Sequence, residues 1–401
     1  MQLPPKIKEI LNIFKKQNID AYVVGGALRD LILGRKPSDF DIATPASPQV
    51  VQDLFQDYRL VLIGIKHGTI GVFFKTIYVE ITTFRKEEDY QDHRHPEKIT
   101  FIHDLQTDLS RRDFTINALA YNNKLFDYFN GLQDLSQKVI RTVGNPFLRF
   151  EEDGLRILRA LRFASTLNFT IEADTRQAIF ARKELILFSA YERINTEFSK
   201  LLIGVGIYQV LLDFYSVLAV FIPRISEVIQ HREDAKKLAL VVASMEATLV
   251  SRLAAFYFLV AGDDFDFVFS DLQRLRYSKK NCYQVKDIIF LVNHIDHIDT
   301  LQIKKMLKVY HKSAILTAVA IKELVSDEDL SVLKVKIVEI SSQCNDLKQM
   351  KVKGDDLIDL GITNTQEIKE ILEYLLNEIM EERLTNDKDL LIQKVKEIKK
   401  N

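Results

Sequence analysis

The spacing of hydrophobic residues changes from helical to strand-like early in the chain. The first apolar positions follow the i, i+3, i+4, i+7 pattern of one helix face, and they are Ile7, Ile10, Leu11 and Phe14. Beyond them, the apolar run 21–24 and the β-branched and aromatic runs 71–74 and 77–84 predict strands. The segment 86–96 is crowded with charge and predicts a loop.

From about residue 150 onwards, the pattern is helical. Glycine and proline become rare there, and the strong alternation of apolar and polar residues disappears. The sequence therefore predicts an α+β protein, in which an N-terminal head with a mixed sheet and helices is followed by a long all-helical remainder.

Composition narrows the class of protein. A chain of 401 residues, 47% of them hydrophobic, is long enough for about two to four domains with buried cores. Cys282 and Cys344 have no metal-ligand spacing, no apolar run approaches a membrane span, and the N-terminus does not resemble a signal peptide. We therefore expect a cytoplasmic protein without membrane contact. Because the formal net charge is only −1, nucleic acid would have to bind at local basic patches.

Two aspartates in the stretch PSDFDIA carry the strongest chemical signal. Alternate residues of a strand point to one face, so Asp39 and Asp41 would project together while Phe40 turns to the core. Paired carboxylates are hard oxygen ligands suited to Mg²⁺. The alternative is a turn, which is the commoner setting of an isolated Asp-x-Asp.

The residues upstream favour the functional interpretation. Gly25 and Gly26 lie where the first predicted strand passes into a helix, and such a junction lets backbone N–H groups approach phosphates. Arg29 adds a positive charge. The second Asp-x-Asp, Asp264 and Asp266, has no such junction and lies in a helical region, so we expect solvated surface or a loop there.

Three further blocks complete the pattern. They are RRDFTINA at 111–118, EDGLRILRALRF at 152–163 and ERINTEFSK at 192–200. With the glycine junction and the first Asp-x-Asp, these blocks resemble the class II (bacterial-type) tRNA nucleotidyltransferases, the CCA-adding enzymes, and the related bacterial poly(A) polymerases. The resemblance covers about residues 1–205 and thins to a general pattern beyond.

This resemblance implies an architecture and an activity. The implied domains are a polymerase-β-like catalytic head at 1–140, a helical neck for base recognition at 141–205, a helical body at 206–300 and a tRNA-binding tail at 301–401. The implied activity is template-independent addition of C, C and A to the tRNA 3′ end from CTP and ATP, with release of pyrophosphate. The implied partner is the 3′ end and the acceptor and elbow region of tRNA. The oligomeric state stays open, with a homodimer as one candidate.

The head would supply the catalytic groups. Asp39 and Asp41 would hold two Mg²⁺ ions of a two-metal nucleotidyl transfer. Glu80 lies between the apolar residues Val79 and Ile81 of a predicted strand and faces away from them, so it is a candidate third catalytic carboxylate. The alternative for Glu80 is a plain exposed strand residue.

The second block would select the base. If 152–163 is a helix, Asp153 and Arg156 stand at i and i+3 and offer an acceptor beside donors. Cytosine and adenine present an amine beside a ring nitrogen, whereas uracil and guanine present a carbonyl and an N–H, so this pair could accept C and A and reject the others. The alternative is an intrahelical salt bridge. We also expect Arg159 and Arg162 to bind nucleotide.

The first block would bind the rest of the nucleotide. Arg112 can clamp phosphate, and Asp113 and Asn117 can hydrogen-bond a ribose 2′-hydroxyl. Together with Gly25, Gly26 and Arg29, they form the predicted nucleotide site. The alternative is a basic strand-to-helix junction with ordinary caps.

The C-terminal region offers one basic feature. Lys304, Lys308 and Lys312 recur every four residues, which predicts one basic helical flank that could touch the tRNA backbone or be solvated surface. Three functions remain open from the sequence: a CCA-adding enzyme; a partial adder or poly(A) polymerase; and a non-catalytic RNA-binding protein on the same scaffold.

Overall fold

The opening helix forms where the hydrophobic spacing predicts it. In the computed structural model, which describes residues 2–90, 96–296 and 298–400, helix α1 spans Pro5–Lys16 and buries Ile7, Ile10 and Phe14. A proline at the first helical turn costs no hydrogen bond, because that N–H has no partner inside the helix. The chain divides into two units, Met1–Ala239 and Leu240–Asn401.

The first unit contains the strands. In chain order they are β1 (Tyr22–Val24), β2 (Phe40–Thr44), β3 (Arg59–Val61), β4 (Thr69–Phe74), β5 (Ile77–Thr83), β6 (Arg85–Tyr90), β7 (Pro96–Phe101), β8 (Leu119–Tyr121), β9 (Leu125–Asp127), β10 (Val139–Ile140) and β11 (Thr170–Ile171). The main sheet has the order β3-β4-β5-β2-β1-β8-β9. β2 and β5 run parallel and all other neighbours in this sheet run antiparallel.

Alternation along the strands gives the head a core on each face of the sheet. Val23 and Ile42 pack with α1 on one face, whereas Tyr22, Val24 and Ala43 pack on the other. Burying a large apolar side chain contributes about 1.5–3 kcal/mol, so the two clusters together fix the register of the strands. The head helices after α1 are α2 (Gly25–Ile32), α3 (Pro48–Leu54), α4 (Leu105–Ser110) and α5 (Gly131–Gln137).

The prediction of a loop over 86–96 is wrong in its described part. β6 pairs antiparallel with β7, with Lys86 opposite Thr100 and Glu87 opposite Ile99. A two-stranded ribbon outside the main sheet need not bury an apolar face, so its charged residues give the same composition as a loop. Residues 91–95 lie outside the described residues.

The rest of the first unit is helical apart from the short parallel pair β10–β11. Its helices are α6 (Pro146–Glu152), α7 (Leu155–Leu167), α8 (Ala173–Arg182), α9 (Tyr191–Leu202), α10 (Ile207–Leu218), α11 (Arg224–Val228) and α12 (Arg232–Ser244), the last of which runs into the second unit.

The predicted helix over 152–163 is interrupted, because α6 ends at Glu152 and α7 begins at Leu155. Asp153 is extended, with φ −146° and ψ 103°, and a Cβ on Gly154 would lie 2.2 Å from the Leu185 carbonyl oxygen.

In the described part of the second unit, all regular elements are helices. Its helices are α13 (Leu249–Ala261), α14 (Phe265–Arg274), α15 (Lys279–His294), α16 (Thr300–Val309), α17 (Lys312–Ser326), α18 (Ser331–Ile340), α19 (Gly354–Asp359), α20 (Thr365–Met380) and α21 (Lys388–Lys400). The predicted α+β head followed by a helical remainder is thus confirmed. Among the described residues, every helix is too short or too polar to cross a membrane.

The second Asp-x-Asp has a structural role. Asp264 is the N-cap of α14, and its carboxylate accepts a hydrogen bond of 3.1 Å from the Phe267 backbone N–H. Such a cap stabilises a helix by about 1 kcal/mol. Asp266, in the first turn, is exposed. Neither carboxylate is part of the cavity described next.

Candidate active site

The sheet register brings the acidic residues of the head together. Asp41 on β2 is paired with Glu80 on β5 and, on its other side, with Val24 on β1. Gly25 follows directly and has a left-handed backbone (φ +71°), which favours glycine. A Cβ at Gly25 would lie 3.3 Å from Asp41 Oδ2 and 3.2 Å from Arg112 Nη1. Glycine at this junction therefore lets the Asp41 carboxylate and the Arg112 guanidinium lie close to the backbone.

The environment of Asp41 disfavours its negative charge. Burial raises the pKa of Asp41, and the charges of Glu80 and Asp39 raise it further against the opposing effect of Arg112. Asp39 lies one residue before β2, is exposed, and accepts a hydrogen bond of 2.9 Å from the Ser38 hydroxyl. Glu80, the predicted third carboxylate, is exposed at the edge of the same cluster.

The acidic cluster, which consists of Asp39, Asp41 and Glu80, offers few protein ligands for a metal ion. Among the described residues, no group of three or more His, Cys, Asp or Glu side chains has the geometry to hold a metal ion. The acidic cluster can therefore contribute one or two carboxylates to a metal ion, which is the usual number for Mg²⁺ in a nucleotide site, where phosphate and water supply the other ligands.

A polar cavity of about 360 Å³ opens beside Asp41. Six arginines and four carboxylates line it, an excess of two positive charges that suits a polyanionic ligand. The lining residues are Val24, Asp41, Ile42, Thr69, Glu80, Thr82, Arg85, Arg111, Arg112, Asp113, Asp153, Arg156, Arg159 and Arg193. The lining does not include the other predicted site residues of the first unit, which are Gly25, Gly26, Arg29, Asp39, Asn117 and Arg162.

Arg112, which lines this cavity, has one guanidinium nitrogen without a hydrogen-bond partner. Its Nε is buried without a hydrogen-bond partner, and its Nη2 is 3.7 Å from Asp108 Oδ2, too far for a hydrogen bond. Burial lowers the pKa of Arg112, and Asp108 and Asp41 oppose that shift. A phosphate in the cavity would compensate the buried charge of Arg112.

Asp108, which the sequence analysis did not identify, holds the basic wall of the cavity in place. This wall consists of Arg85, Arg111 and Arg112. Asp108 is fully buried, and its Oδ1 accepts hydrogen bonds from the Arg111 Nε and Nη2 at 3.0 and 2.9 Å and from the Arg85 backbone N–H at 3.2 Å. Glu87 on β6 also binds these two arginines. Its carboxylate accepts hydrogen bonds from the Arg85 side chain at 2.6 Å and from the Arg111 side chain at 3.2 Å. The pair of strands β6 and β7 is therefore tied to the cavity wall.

Asp113 and Asn117 are engaged within the protein. Asp113 Oδ2 accepts from Arg159 Nε and Nη2 at 2.9 and 2.5 Å, and Oδ1 accepts from Asn117 Nδ2 at 3.0 Å. Burial would raise the pKa of Asp113, but Arg159 and Asn117 outweigh burial and hold it well below its usual range. Asn117 Oδ1 in turn accepts from Arg29 Nη1 at 2.8 Å. The ribose contact expected of Asp113 and Asn117 stays a prediction.

Arg29 and Arg162 lie outside the cavity lining and pack against the ring of Phe163. Their guanidinium carbons lie 4.9 and 3.8 Å from the centroid of the Phe163 ring, and Arg162 is ion-paired with Glu197. Their predicted contact with nucleotide stays a prediction, as does that of Gly26.

The predicted helical pairing of Asp153 and Arg156 is wrong, although both residues line the cavity. Asp153 is outside the helix because the chain is extended there. Its carboxylate pairs with the Arg193 Nη2 at 2.8 Å, while Arg156 pairs with Glu152 and donates to the Arg111 carbonyl at 3.2 Å. Arg193 was missed as a cavity residue, although it lies in the quoted block 192–200.

The predicted basic flank in the second unit is also wrong. Lys304 is only 3% exposed, and its Nζ donates to the Met380 carbonyl at 3.0 Å and to Glu382 at 2.8 Å. α16 ends at Val309 and α17 begins at Lys312, so Lys312 is not on the same helix as Lys304. Lys308 and Lys312 are exposed, and their contact with RNA stays a prediction.

Three family models match this chain. Residues 21–141 match "Poly A polymerase head domain", residues 168–227 match "Probable RNA and SrmB- binding site of polymerase A", and residues 254–395 match "tRNA nucleotidyltransferase domain 2 putative". The first match contains the acidic cluster and the basic wall.

Relatives match along nearly the whole chain. The CCA-adding enzyme of Anoxybacillus flavithermus is 34% identical over 388 residues, which cover 95% of this chain and 94% of the relative. That of Ligilactobacillus salivarius is 34% identical over 411 residues, covering 99% and 98%. The crystal structure of the Bacillus stearothermophilus CCA-adding enzyme in complex with CTP has a TM-score of 0.76 at 27% identity, covering 100% of both chains. The chain therefore belongs to the family of the CCA-adding enzymes.

Proposed function

We propose that the chain is a CCA-adding enzyme, which adds C, C and A to the 3′ end of tRNA from CTP and ATP without a nucleic-acid template. One observation carries the proposal. A single cavity joins the carboxylates Asp41 and Glu80 to Arg112 and, within the same lining, to Asp153 and Arg156. Family membership supports this type of reaction, because the relatives that match along nearly the whole chain are named CCA-adding enzymes.

The reaction joins two substrates at this cavity. The 3′-hydroxyl oxygen of the RNA forms a bond to the α-phosphorus of the nucleotide, and the bond from that phosphorus to the bridging oxygen of the β-phosphate breaks. Pyrophosphate leaves with the electron pair, and the hydroxyl proton is released to water. The chain contributes by positioning and by charge. Arg112 would bind the triphosphate through its guanidinium group, and the arginine excess of the lining would attract the anion.

Mg²⁺ fits the acidic cluster. The carboxyl of Asp41 has a raised pKa because burial and the charges of Glu80 and Asp39 disfavour its ionised form, and a divalent cation would remove that penalty. We assign Asp39 and Asp41 as ligands of two Mg²⁺ ions, with Glu80 as a further catalytic carboxylate. When bound, the ions supply charge that stabilises phosphoryl transfer.

Base selection is assigned to Asp153 and to the arginines Arg156 and Arg193 of the cavity lining. Asp153 can accept a hydrogen bond from the amine of cytosine or adenine, and Arg156 or Arg193 can donate to the adjacent ring nitrogen. Uracil and guanine would turn a carbonyl towards Asp153 and leave unpaired groups, each costing about 1–3 kcal/mol. The Asp153–Arg193 pair supports this assignment, because it holds an acceptor beside a donor at one wall.

The helical second unit is the proposed tRNA-binding part. Its match to a tRNA nucleotidyltransferase domain supports this, and Lys308 and Lys312 are the exposed cations that we assign to the RNA backbone. The four predicted domains, at 1–140, 141–205, 206–300 and 301–401, remain our proposed boundaries.

Poly(A) addition is the second candidate, because the model that matches the head is described as that of a poly(A) polymerase. The test uses tRNA transcripts that end before CCA, after C and after CC, each incubated with CTP, ATP or both in the presence of Mg²⁺. A CCA-adding enzyme restores CCA on all three and stops. Long A tails on unrelated RNA would support poly(A) addition, addition of only CC or only A would indicate a partial adder, and no incorporation would contradict enzyme function.

A further inference from the structure

An exposed row of aromatic and cationic side chains crosses the sheet beside the candidate active site. Arg59 on the edge strand β3 is opposite Phe73 on β4, and Phe73 is opposite Tyr78 on β5. The Arg59 guanidinium carbon lies 4.9 Å from the centroid of the Phe73 ring, and the Phe73 and Tyr78 ring centroids are 5.0 Å apart. We call these three residues the β3–β5 ladder.

The ladder is on the same face of the sheet as the acidic cluster. Tyr78 and Glu80 alternate along β5 with the buried residues Val79 and Ile81. Tyr78 is about 7 Å from Glu80 along the strand, and its hydroxyl donates a hydrogen bond of 3.2 Å to Glu80 Oε1. The ladder therefore continues directly into the candidate catalytic site.

Gly71 makes this arrangement possible. It is paired with Glu80, and a Cβ at Gly71 would lie 2.3 Å from the Tyr78 hydroxyl oxygen. The Tyr78 side chain thus lies across the bare backbone of Gly71 and towards the carboxylate, instead of standing up from the sheet.

The ladder is not needed for the core of the head. Phe73 is 39% exposed and Tyr78 is 37% exposed, and Arg59 is exposed as well, whereas their strand neighbours Val72 and Val79 are fully buried. Exposed aromatic rings in a row with an arginine have the chemistry that binds single-stranded nucleic acid: bases stack on the rings, and the cation contacts the base or the phosphate.

We propose that the β3–β5 ladder binds the unpaired 3′-terminal nucleotides of the RNA substrate and so delivers the terminal hydroxyl to the acidic cluster. This inference rests on the proposed function. The ladder fits the RNA strand better than the incoming nucleotide, because the base of that nucleotide is already assigned to Asp153 and Arg156 in the cavity lining. Stacking does not depend on base identity, which suits a 3′ end whose sequence changes after each addition.

The test is a comparison of tRNA binding without any nucleotide present. Dissociation constants are measured for a tRNA ending in CC and for the same tRNA trimmed of its unpaired 3′ nucleotides. For Phe73→Ala, we expect the dissociation constant of the untrimmed tRNA to rise about 5- to 100-fold, the range for one lost base–aromatic stack, while that of the trimmed tRNA stays at the wild-type value.

The matched control is Tyr128→Ala. Tyr128 is a similarly exposed aromatic residue (42%) that follows β9, at the opposite edge of the sheet from β3; its loss should change neither constant. Circular dichroism verifies folding, and Phe73→Leu repeats the comparison if Phe73→Ala does not fold. An equal loss on both tRNAs, or no loss on either, would overturn the proposal. Failure of the proposed function would be distinct, because wild-type protein would then incorporate no nucleotide while the binding comparison stays readable.

Discussion

Removal of the Arg159 guanidinium tests the buried network behind the cavity. In Arg159→Leu, Asp113 Oδ2 loses both of its hydrogen bonds from Arg159, while Oδ1 keeps those from Asn117 Nδ2 and the Phe114 backbone N–H, at 3.0 and 2.8 Å. Breaking a buried ion pair from one side costs about 3–5 kcal/mol. Because the Arg159 side chain is 33% exposed, water compensates part of the loss, and we expect unfolding to become easier by about 2–3 kcal/mol.

The pH dependence gives this prediction its sign. The pKa of Asp113 in the folded state is held below its usual value, so its pairing stabilises the wild type above the unfolded-state pKa of about 3.9, and that stability is lost as the pH falls towards the folded-state value. The Arg159→Leu variant lacks most of the stability that this pairing of Asp113 contributes. The difference in unfolding free energy between wild type and Arg159→Leu should therefore be complete at pH 7 and should shrink below about pH 4.

Urea denaturation followed by circular dichroism at pH 7 and pH 3 measures the difference directly. The control is Lys236→Leu, which removes an exposed pair with Glu233 at 3.5 Å and should cost less than about 1 kcal/mol at either pH. A cost below 1 kcal/mol for Arg159→Leu at pH 7, or a cost that is the same at both pH values, would refute the reasoning.

Three further predictions concern the cavity and its frame. Asp41→Asn should abolish nucleotide incorporation while Asp266→Asn leaves it unchanged, and equal activity of the two in a primer-extension assay would contradict the metal assignment. Arg193→Ala should lower the ratio of kcat/KM for CTP over UTP by about 5- to 100-fold with transfer retained, because Asp153 loses the donor beside it; an unchanged ratio would remove Arg193 from base selection. Gly154→Ala should lower the urea midpoint by the equivalent of about 1–3 kcal/mol, since the added Cβ has no room, and wild-type stability would argue against the close approach of the chain there.

Local patterns were sufficient for the elements that position the acidic cluster. The helical spacing from Ile7 to Phe14 forms α1, and the strand signals at 71–74 and 77–84 correspond to β4 and β5. The alternation that turns Glu80 away from the core also brings it opposite Asp41. These are short-range properties, because a strand fixes the facing of each residue from its neighbours.

The differences from the sequence-based expectations have long-range causes. The helix break at Asp153 accompanies the close approach of Leu185, some thirty residues along the chain, to Gly154. Lys304 is buried because a carbonyl and a carboxylate 76 and 78 residues later receive its ammonium group. Charge periodicity identifies a helix face but cannot tell whether another segment covers that face.

A crystal structure with CTP and Mg²⁺ bound would show whether this cavity holds the nucleotide. We expect a triphosphate between Arg112 and the carboxylates of Asp39 and Asp41, with Mg²⁺ on those carboxylates and the cytosine edge at Asp153. A triphosphate bound elsewhere, with Asp41 facing away from it, would rule out the proposed site.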